Sequence, residues 1–310
     1  VLRRTPVPAA VQEWLRRQTG ARVVAVRRLP GASSSAVHVL RLDGGGSVVL
    51  RRYVWSRFLA AEPEAPEREV DALTYAQARG LPVPAVVAAD PHGIEIGDGV
   101  PALLMARLPG RADARADPEA LASAAADIHA IDGRAFGHRY VPWYRATSTG
   151  PPRGCRSPGR WADALEIWRS AEPPYTPTFV HRDFHPGNVL WVRGRLSGVV
   201  DWANACAGPP GIDVATCRWN LAAWAGPEAA DAFVAAYERR TGQRHDRYWD
   251  IAKVMEDDWD LVDDPQRVDR AERFLAAMTP YIVSGPGKSS RIRGSARSTA
   301  PVIRRSTSPE

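Results

Sequence analysis

Residues 178–213 read TFVHRDFHPGNVLWVRGRLSGVVDWANACAGPPGID, and the fold is decided there. A short apolar run, Thr178-Phe179-Val180, predicts a buried strand. The polar loop His181-Arg182-Asp183-Phe184-His185-Pro186-Gly187-Asn188 follows. Val189 to Val192 and Leu196 to Val200 are two further apolar runs, joined by Arg193-Gly194-Arg195. Two such runs around a Gly-containing turn predict a β-hairpin. The hairpin has the polar loop at its near end and Asp201 at its far end.

That spacing carries chemistry. Asp183, Asn188 five residues on, and Asp201 just past the hairpin put three oxygen-bearing side chains around one small space. Mg²⁺ needs few protein ligands, mostly carboxylate or amide oxygens, with phosphate oxygens and waters completing the octahedron. Asn188 and Asp201 are candidates to supply two of them, which leaves Asp183 to hold a substrate hydroxyl.

The pattern His-x-Asp-x-x-x-x-Asn, then Asp after a hairpin, resembles the aminoglycoside phosphotransferase and choline kinase group, relatives of the protein kinases. The resemblance implies a catalytic base or hydroxyl orienter at Asp183 and metal ligands at Asn188 and Asp201. It implies a bracing role for His181. It also gives Asp213, in Gly208-Pro209-Pro210-Gly211-Ile212-Asp213, the task of holding the catalytic loop's backbone from a helix start. All these positions occur in order, each in a fitting local setting, which is rare by chance.

Upstream, Pro8 to Gly20 reads as a helix, with Val11, Trp14 and Leu15 on one face and Gly20 as its stop. Three strand-like runs follow, Arg22 to Leu29, Ala36 to Leu42 and Ser47 to Tyr53. Between the first two lies Pro30-Gly31-Ala32-Ser33-Ser34-Ser35, where the resemblance implies a phosphate-covering loop. Small residues let backbone N–H groups approach phosphate, and the Ser33 and Ser34 hydroxyls add donors. Arg51 stands where the family places a phosphate-binding Lys, a departure, because the two cations are not interchangeable. Arg52, one residue on, should face the other side of the sheet. Pro66 to Arg79 reads as a helix with Val70, Leu73 and Ala76 or Gln77 buried, and Glu69 matches the carboxylate that pairs with the strand cation. Leu103 to Gly110 resembles the hinge between lobes, with backbone groups of Met105 to Arg107 meeting the adenine edge.

Farther along, Pro118 to Ile131, Arg160 to Ser170, Ile212 to Trp224 and Pro227 to Thr241 read as helices. His129 is expected in a core or at a helix end. Gly133 to Pro158 reads as a long surface loop. Eleven tryptophans suggest a large aromatic core. From His245 to Met278 the chain carries Glu256, Asp257, Asp258, Asp260, Asp263 and Asp264. The family resemblance implies carboxylates there for a cationic acceptor, with Asp257 and Asp260 on one helical face, i and i+3. A solvated acidic face is the competing reading.

At 310 residues the chain exceeds the usual single-core size, so two lobes are expected. The net charge of +6 is concentrated in residues 284–310, which carry +5 and leave +1 for residues 1–283. A basic face for nucleic acid is therefore not expected, and the basic segment lacks aromatic residues for stacking. That segment has no apolar period and reads as disordered. No run of 18 apolar residues is present, so no membrane span is expected. The start, Val1-Leu2-Arg3-Arg4-Thr5-Pro6, is not expected to act as a secretory signal. Cys155, Cys206 and Cys217 show no C-x-x-C spacing, which suits a reducing cytoplasm.

The expected fold is a two-lobed α+β, protein-kinase-like architecture. Residues 1–106 form an antiparallel-sheet nucleotide lobe, residues 107–283 a larger, mostly helical catalytic lobe, and 284–310 a tail. The expected activity is transfer of the ATP γ-phosphate, with Mg²⁺, to a hydroxyl of a small molecule, an aminoglycoside or related antibiotic among the candidates. The alternative is a kinase-like nucleotide binder with little or no turnover.

Overall fold

The computed structural model describes residues 7–30, 35–142, 150–257, 259, 262 and 264–278. Ser33, Ser34, Asp258, Asp260, Asp263 and the basic tail lie outside the described residues.

The N-terminal lobe is a five-stranded antiparallel sheet in the order β1-β2-β3-β5-β4. Its strands are β1 (Val23–Arg28), β2 (Ala36–Leu42), β3 (Ser47–Arg52), β4 (Val86–Asp90) and β5 (Ala102–Ala106). Residues alternate across the pleat, so β3 sends Leu50 and Arg52 to one face and Val49 and Arg51 to the other. On the first face lies helix α1 (Ala9–Thr19), whose buried Val11, Trp14 and Leu15 join Leu40, Leu50 and Leu104. Gly20 ends it in the left-handed region, φ 69°, with its N–H bonded to Arg16 O at 2.9 Å. Arg52, on this face as expected, is held by Asp98 at 2.7 Å.

Helix α3 (Ala65–Gln77) packs on the opposite face. Its buried side is Glu69, Ala72, Leu73 and Ala76, with Val70 half-buried and Gln77 exposed. A short helix, α2 (Ser56–Ala61), precedes it and was not anticipated.

The larger lobe is mainly helical: α4 (Pro118–His129), α5 (Pro158–Arg169), α6 (Pro210–Trp224), α7 (Pro227–Thr241), α8 (Arg247–Met255) and α9 (Pro265–Ala277). Near-continuous burial of Ile212 to Arg218 makes α6 its central element. The expected hairpin is β8 (Val189–Val192) with β9 (Arg195–Val199). Its turn residues Arg193 and Gly194 have φ 50° and 75°, the backbone that suits a tight hairpin connection. β6 (Arg111–Ala112) adds a third strand beside β8, and β7 (Thr178–Val180) pairs with β10 (Cys206–Gly208).

One core runs through both lobes. Leu73, Leu103 and Met105 pack with Phe179, Phe184, Val199 and Trp202, and Trp202 stacks on Phe179 at 5.2 Å. Fully burying each such side chain contributes about 1.5–3 kcal/mol. Val199 N–H also donates to Pro82 O at 2.8 Å across the lobe junction.

Two stretches differ from their sequence reading. Within the expected 133–158 loop, residues 133–135 form a 3-10 turn, and residues 138–140 are pinned to β10. Tyr140 N–H donates to Ala207 O at 2.9 Å, and Ala207 N–H to His138 O at 2.7 Å. Backbone pairing of this kind leaves no periodic trace in a Pro- and Gly-rich segment. Of the acidic run, Asp257 is described outside any helix and Asp264 at the start of one. α8 ends at Met255, and Asp264 caps α9, accepting from Gln266 N–H at 2.9 Å. Asp257 therefore lies beyond α8, and Asp260, its expected i+3 partner, lies outside the described residues.

Candidate active site

The loop after β7 is built from the inside outward. Asp213, in the first turn of α6, is fully buried. Its Oδ2 accepts from His181 N–H at 2.8 Å and its Oδ1 from Arg182 N–H at 2.6 Å. The ring of His129 sits 3.2 Å from the same carboxylate and 2.8 Å from Tyr237 OH. Burial, with Asp213 adding to it, raises the Tyr237 hydroxyl pKa above its ordinary value. A carboxylate accepting backbone N–H groups in a dry site holds them firmly. The loop thus hangs from α6 by two of its backbone N–H groups bonded to the Asp213 carboxylate.

His181 braces the loop from the other side. Its Nε2 donates to Val200 O at 2.9 Å, so its Nδ1 accepts from Asp183 N–H at 3.2 Å. Val200 N–H bonds Asn188 O at 2.9 Å, which draws the end of the hairpin against the loop. Asp201 follows with φ 69°, a left-handed conformation that Asp tolerates better than most side chains.

Asp183 is about one third exposed, 34%. The Asn188 amide donates to Asp183 O at 2.9 Å and reaches Asp183 Oδ2 at 3.3 Å. With its nitrogen so engaged, Asn188 keeps Oδ1 as an acceptor. His185 Nδ1 accepts from Gly187 N–H at 3.0 Å, while its Nε2 lies 3.7 Å from Asp183 Oδ2.

The N-terminal lobe contributes a buried cation. Arg51 Nη1 lies 2.8 Å from Glu69 Oε1 and 2.6 Å from Asp201 Oδ1. Burial opposes the charge on Arg51, yet Asp201 and Glu69 push its pKa well above its ordinary value. Burial also pushes the Glu69 carboxyl up against the pull of Arg51. For Asp201 the balance reverses: burial raises it, but Arg51 overrides that and holds it below the usual carboxylate range. Tyr53 completes the group. Its hydroxyl donates to Glu69, and the Arg51 guanidinium lies 5.0 Å from its ring. Arg68 Nε donates to Ala203 O at 2.6 Å, tying α3 to the segment after Asp201.

A hard cation suits the donor set of one carboxylate, Asp201, and one carboxamide oxygen, Asn188. Among the described residues no group of three or more His, Cys, Asp or Glu forms a metal cage.

Other expected residues fall as follows. Met105 is buried in β5 opposite Val49, and Arg107 is exposed just after the strand. Ala106 N–H donates to Ala85 O at 2.8 Å, so that hinge donor is engaged within the sheet. Asp257 pairs with Arg267 at 2.8 Å. Glu256 is buried, receiving Tyr140 OH at 3.1 Å with Arg182 Nη2 at 3.9 Å.

Sequence reasoning missed Tyr53, Arg68 and Tyr140 as parts of this assembly, and placed Ser35 and Glu256 only within the phosphate-covering loop and the acidic run. Tyr53 had a usable signal, since strand alternation places it on the face of Arg51, two residues earlier. Ser35 closes the serine run before β2 and is buried, its hydroxyl unpartnered among the described residues. Tyr140 and Glu256 are 116 residues apart and carry no local signal.

A sequence profile of the phosphotransferase enzyme family (APH) matches residues 25–249, more than half of the chain. The chain belongs to that family. No curated protein matches the sequence significantly. Among solved structures, aminoglycoside phosphotransferase APH(4)-Ia is similar with a TM-score of 0.61 at 21% identity, covering 90% of this chain and 99% of that one. A thermostable mutant of the same enzyme, in ternary complex with AMP-PNP and hygromycin B, gives a TM-score of 0.61 at 21% identity, over 90% and 100%. Macrolide 2'-phosphotransferase MphH from Brachybacterium faecium gives 0.51 at 17% identity, over 88% and 93%. These likenesses establish the kinase-like fold of this phosphotransferase-family chain.

Proposed function

We infer that this phosphotransferase moves the γ-phosphoryl group of ATP to a hydroxyl of a small molecule. The observation that carries the reading is convergence. Asp183, Asn188 and Asp201 come from a loop and a hairpin end laced together by main-chain bonds, and Arg51 with Glu69 reaches the same corner from the other lobe. Such chemistry rests mainly on positioning and on neutralising phosphate charge.

Asp183 aligns the acceptor hydroxyl and takes its proton as the new O–P bond forms and the bond to the β-phosphate oxygen breaks, releasing ADP. Asn188 Oδ1 and Asp201 would hold Mg²⁺, which when bound neutralises charge on the phosphate oxygens. Arg51, fixed by Glu69 and Tyr53, offers its guanidinium to the α/β phosphates. Ser33 and Ser34 cover the phosphates, and Met105 to Arg107 meet the adenine edge. His181 and Asp213 keep the loop in shape. Asp257 and Asp260 are carried forward as acceptor-side residues, although the Arg267 ion pair already engages Asp257. Residues 1–106 serve the nucleotide and the rest of the folded chain the acceptor, in a protein acting without nucleic acid or membrane. Among the described residues no helix is long and apolar enough to cross a membrane. APH(4)-Ia binds hygromycin B beside AMP-PNP, so aminocyclitols head the list of acceptors to try, followed by macrolides and amino alcohols.

The test incubates the protein with MgATP and a panel of such compounds and looks for a phosphate monoester by ³¹P NMR. The expected result is one acceptor converted with stoichiometric ADP. MgATP binding without monoester or ADP from any acceptor, water included, would favour a binder without turnover.

A further inference from the structure

Three non-glycine residues among those described have positive φ. Arg193 sits in the exposed hairpin turn, and Asp201 belongs to a residue type that tolerates the conformation. Arg182, with φ 67°, has neither reason. It is β-carbon-bearing and buried, at a position whose backbone glycine adopts more readily. Its side chain must supply what glycine lacks.

That side chain turns away from the nucleotide corner. The guanidinium donates to Val141 O, lies 5.0 Å from the Tyr140 ring and reaches Glu256 Oε1 at 3.9 Å. Tyr140 OH donates to the same Glu256 oxygen at 3.1 Å, and its ring packs edge-on against Trp249 of α8 at 6.2 Å. Tyr140 is itself pinned to β10 by its own N–H. Pro142, one residue past the Val141 anchor, lines a cavity of about 410 Å³ with Trp168, Glu172 and Tyr248. Arg182 thus ties the catalytic loop to the 138–142 segment and to the end of α8, while its own N–H hangs from Asp213 at 2.6 Å.

We propose that Arg182 is a positioning residue: its buried tether to Tyr140, Val141 and Glu256 sets where Asp183, the next residue, stands. The inference rests on the phosphotransfer reading above. The tether fixes the loop on both sides of one peptide, Asp213 holding the main chain and Glu256 with Val141 the side chain. Loss of the second hold leaves residue 182 tied by its main chain alone. Sub-ångström to ångström displacement of a reacting group lowers turnover by up to about 100-fold.

A purely conformational role and a tethering role predict opposite outcomes for Arg182→Gly. Glycine suits the left-handed backbone, so a conformational role leaves turnover equal or higher. The tether role lowers kcat by about 10- to 100-fold, with the Kd for MgATP unchanged and Arg182→Lys recovering part of the loss. Turnover is read as ADP formed from MgATP with water as acceptor and enzyme in excess. Amide exchange over residues 183–188, followed by mass spectrometry, serves as the arm that needs no acceptor. It should rise in Arg182→Gly while that of α6 and α7 stays the same. If Arg182→Gly does not fold, Arg182→Lys and Glu256→Gln decide: both should lower kcat and raise loop exchange at constant MgATP affinity. Wild-type turnover and wild-type loop exchange in the folded variants would overturn the proposal. An inactive Asp183→Asn beside a fully active Arg182→Gly refutes the tether alone, whereas an active Asp183→Asn refutes the phosphotransfer assignment of Asp183 itself.

Discussion

The loop-and-hairpin corner and the acidic run of residues 256–264 are both rich in side-chain oxygens, yet they use them in opposite ways. At the corner the polar groups are few, far apart in sequence and delivered by different elements. Asp183 remains about one third exposed while His181 and Asn188 hold its backbone and Asp213 holds that of the two residues before it. In the acidic run the described carboxylates are dense in sequence but already engaged: Glu256 with Tyr140, Asp257 with Arg267, and Asp264 at the start of α9. Spacing across elements marks convergence, whereas local density of one charge more often marks charges that find nearby partners or water.

Substitutions in the two regions should have effects of very different size. The largest stability effect is expected at the hinge of the corner. Asp213→Ala strips the acceptor from two buried N–H groups and from His129, at a cost of about 3–5 kcal/mol. Thermal unfolding should register that as a melting temperature lower by roughly 10 °C or more. A fall of only a degree or two would mean that the loop does not hang from α6.

Arg51→Ala comes next. It leaves Glu69 buried without its cation and should destabilise by about 3 kcal/mol, with Arg51→Lys costing clearly less because the charge is kept. Equal losses for the two would show that the guanidinium fork, rather than the charge, is the essential part.

Asp201→Asn removes one carboxylate from the metal pair. Calorimetric titration of ATP with and without Mg²⁺ should show most of the metal enhancement gone, because a Mg²⁺ ion held there would lose its charged ligand. An unchanged metal dependence would move the metal site elsewhere.

At the small end stands Asp257→Asn. A partly exposed pair with Arg267 is worth roughly 0–1 kcal/mol, so stability should stay nearly constant. The acceptor KM should also move little if the ion pair is what this residue is for. A large rise in KM for a cationic acceptor alone would restore the acidic run as a substrate wall.

Much of this was readable from the chain. The alternation in Ser47 to Arg52 announced that Arg51 and Arg52 face opposite ways, and they do, one to Glu69 and one to Asp98. Glu69 was readable through the family resemblance, which pairs a carboxylate of this helix with the strand cation. The Arg193-Gly194 turn announced the hairpin, and with it the place of Asp201. What was hidden depends on distant pairs. Glu256 looked like one acid among several until Tyr140 and Arg182 were brought against it by the pairing of residues 138–140 with β10. The end of α8 at Met255 was likewise invisible, since the residues after it keep apolar spacing while Asp264 starts a new helix.

The account stands most directly on Asp183. Asp183→Asn should bind MgATP with close to wild-type affinity, since the carboxylate holds the acceptor and not the nucleotide. Its single-turnover rate of phosphate transfer should fall by roughly 10²–10⁴-fold. Transfer at near the wild-type rate, with the variant folded and MgATP bound, would contradict the assignment.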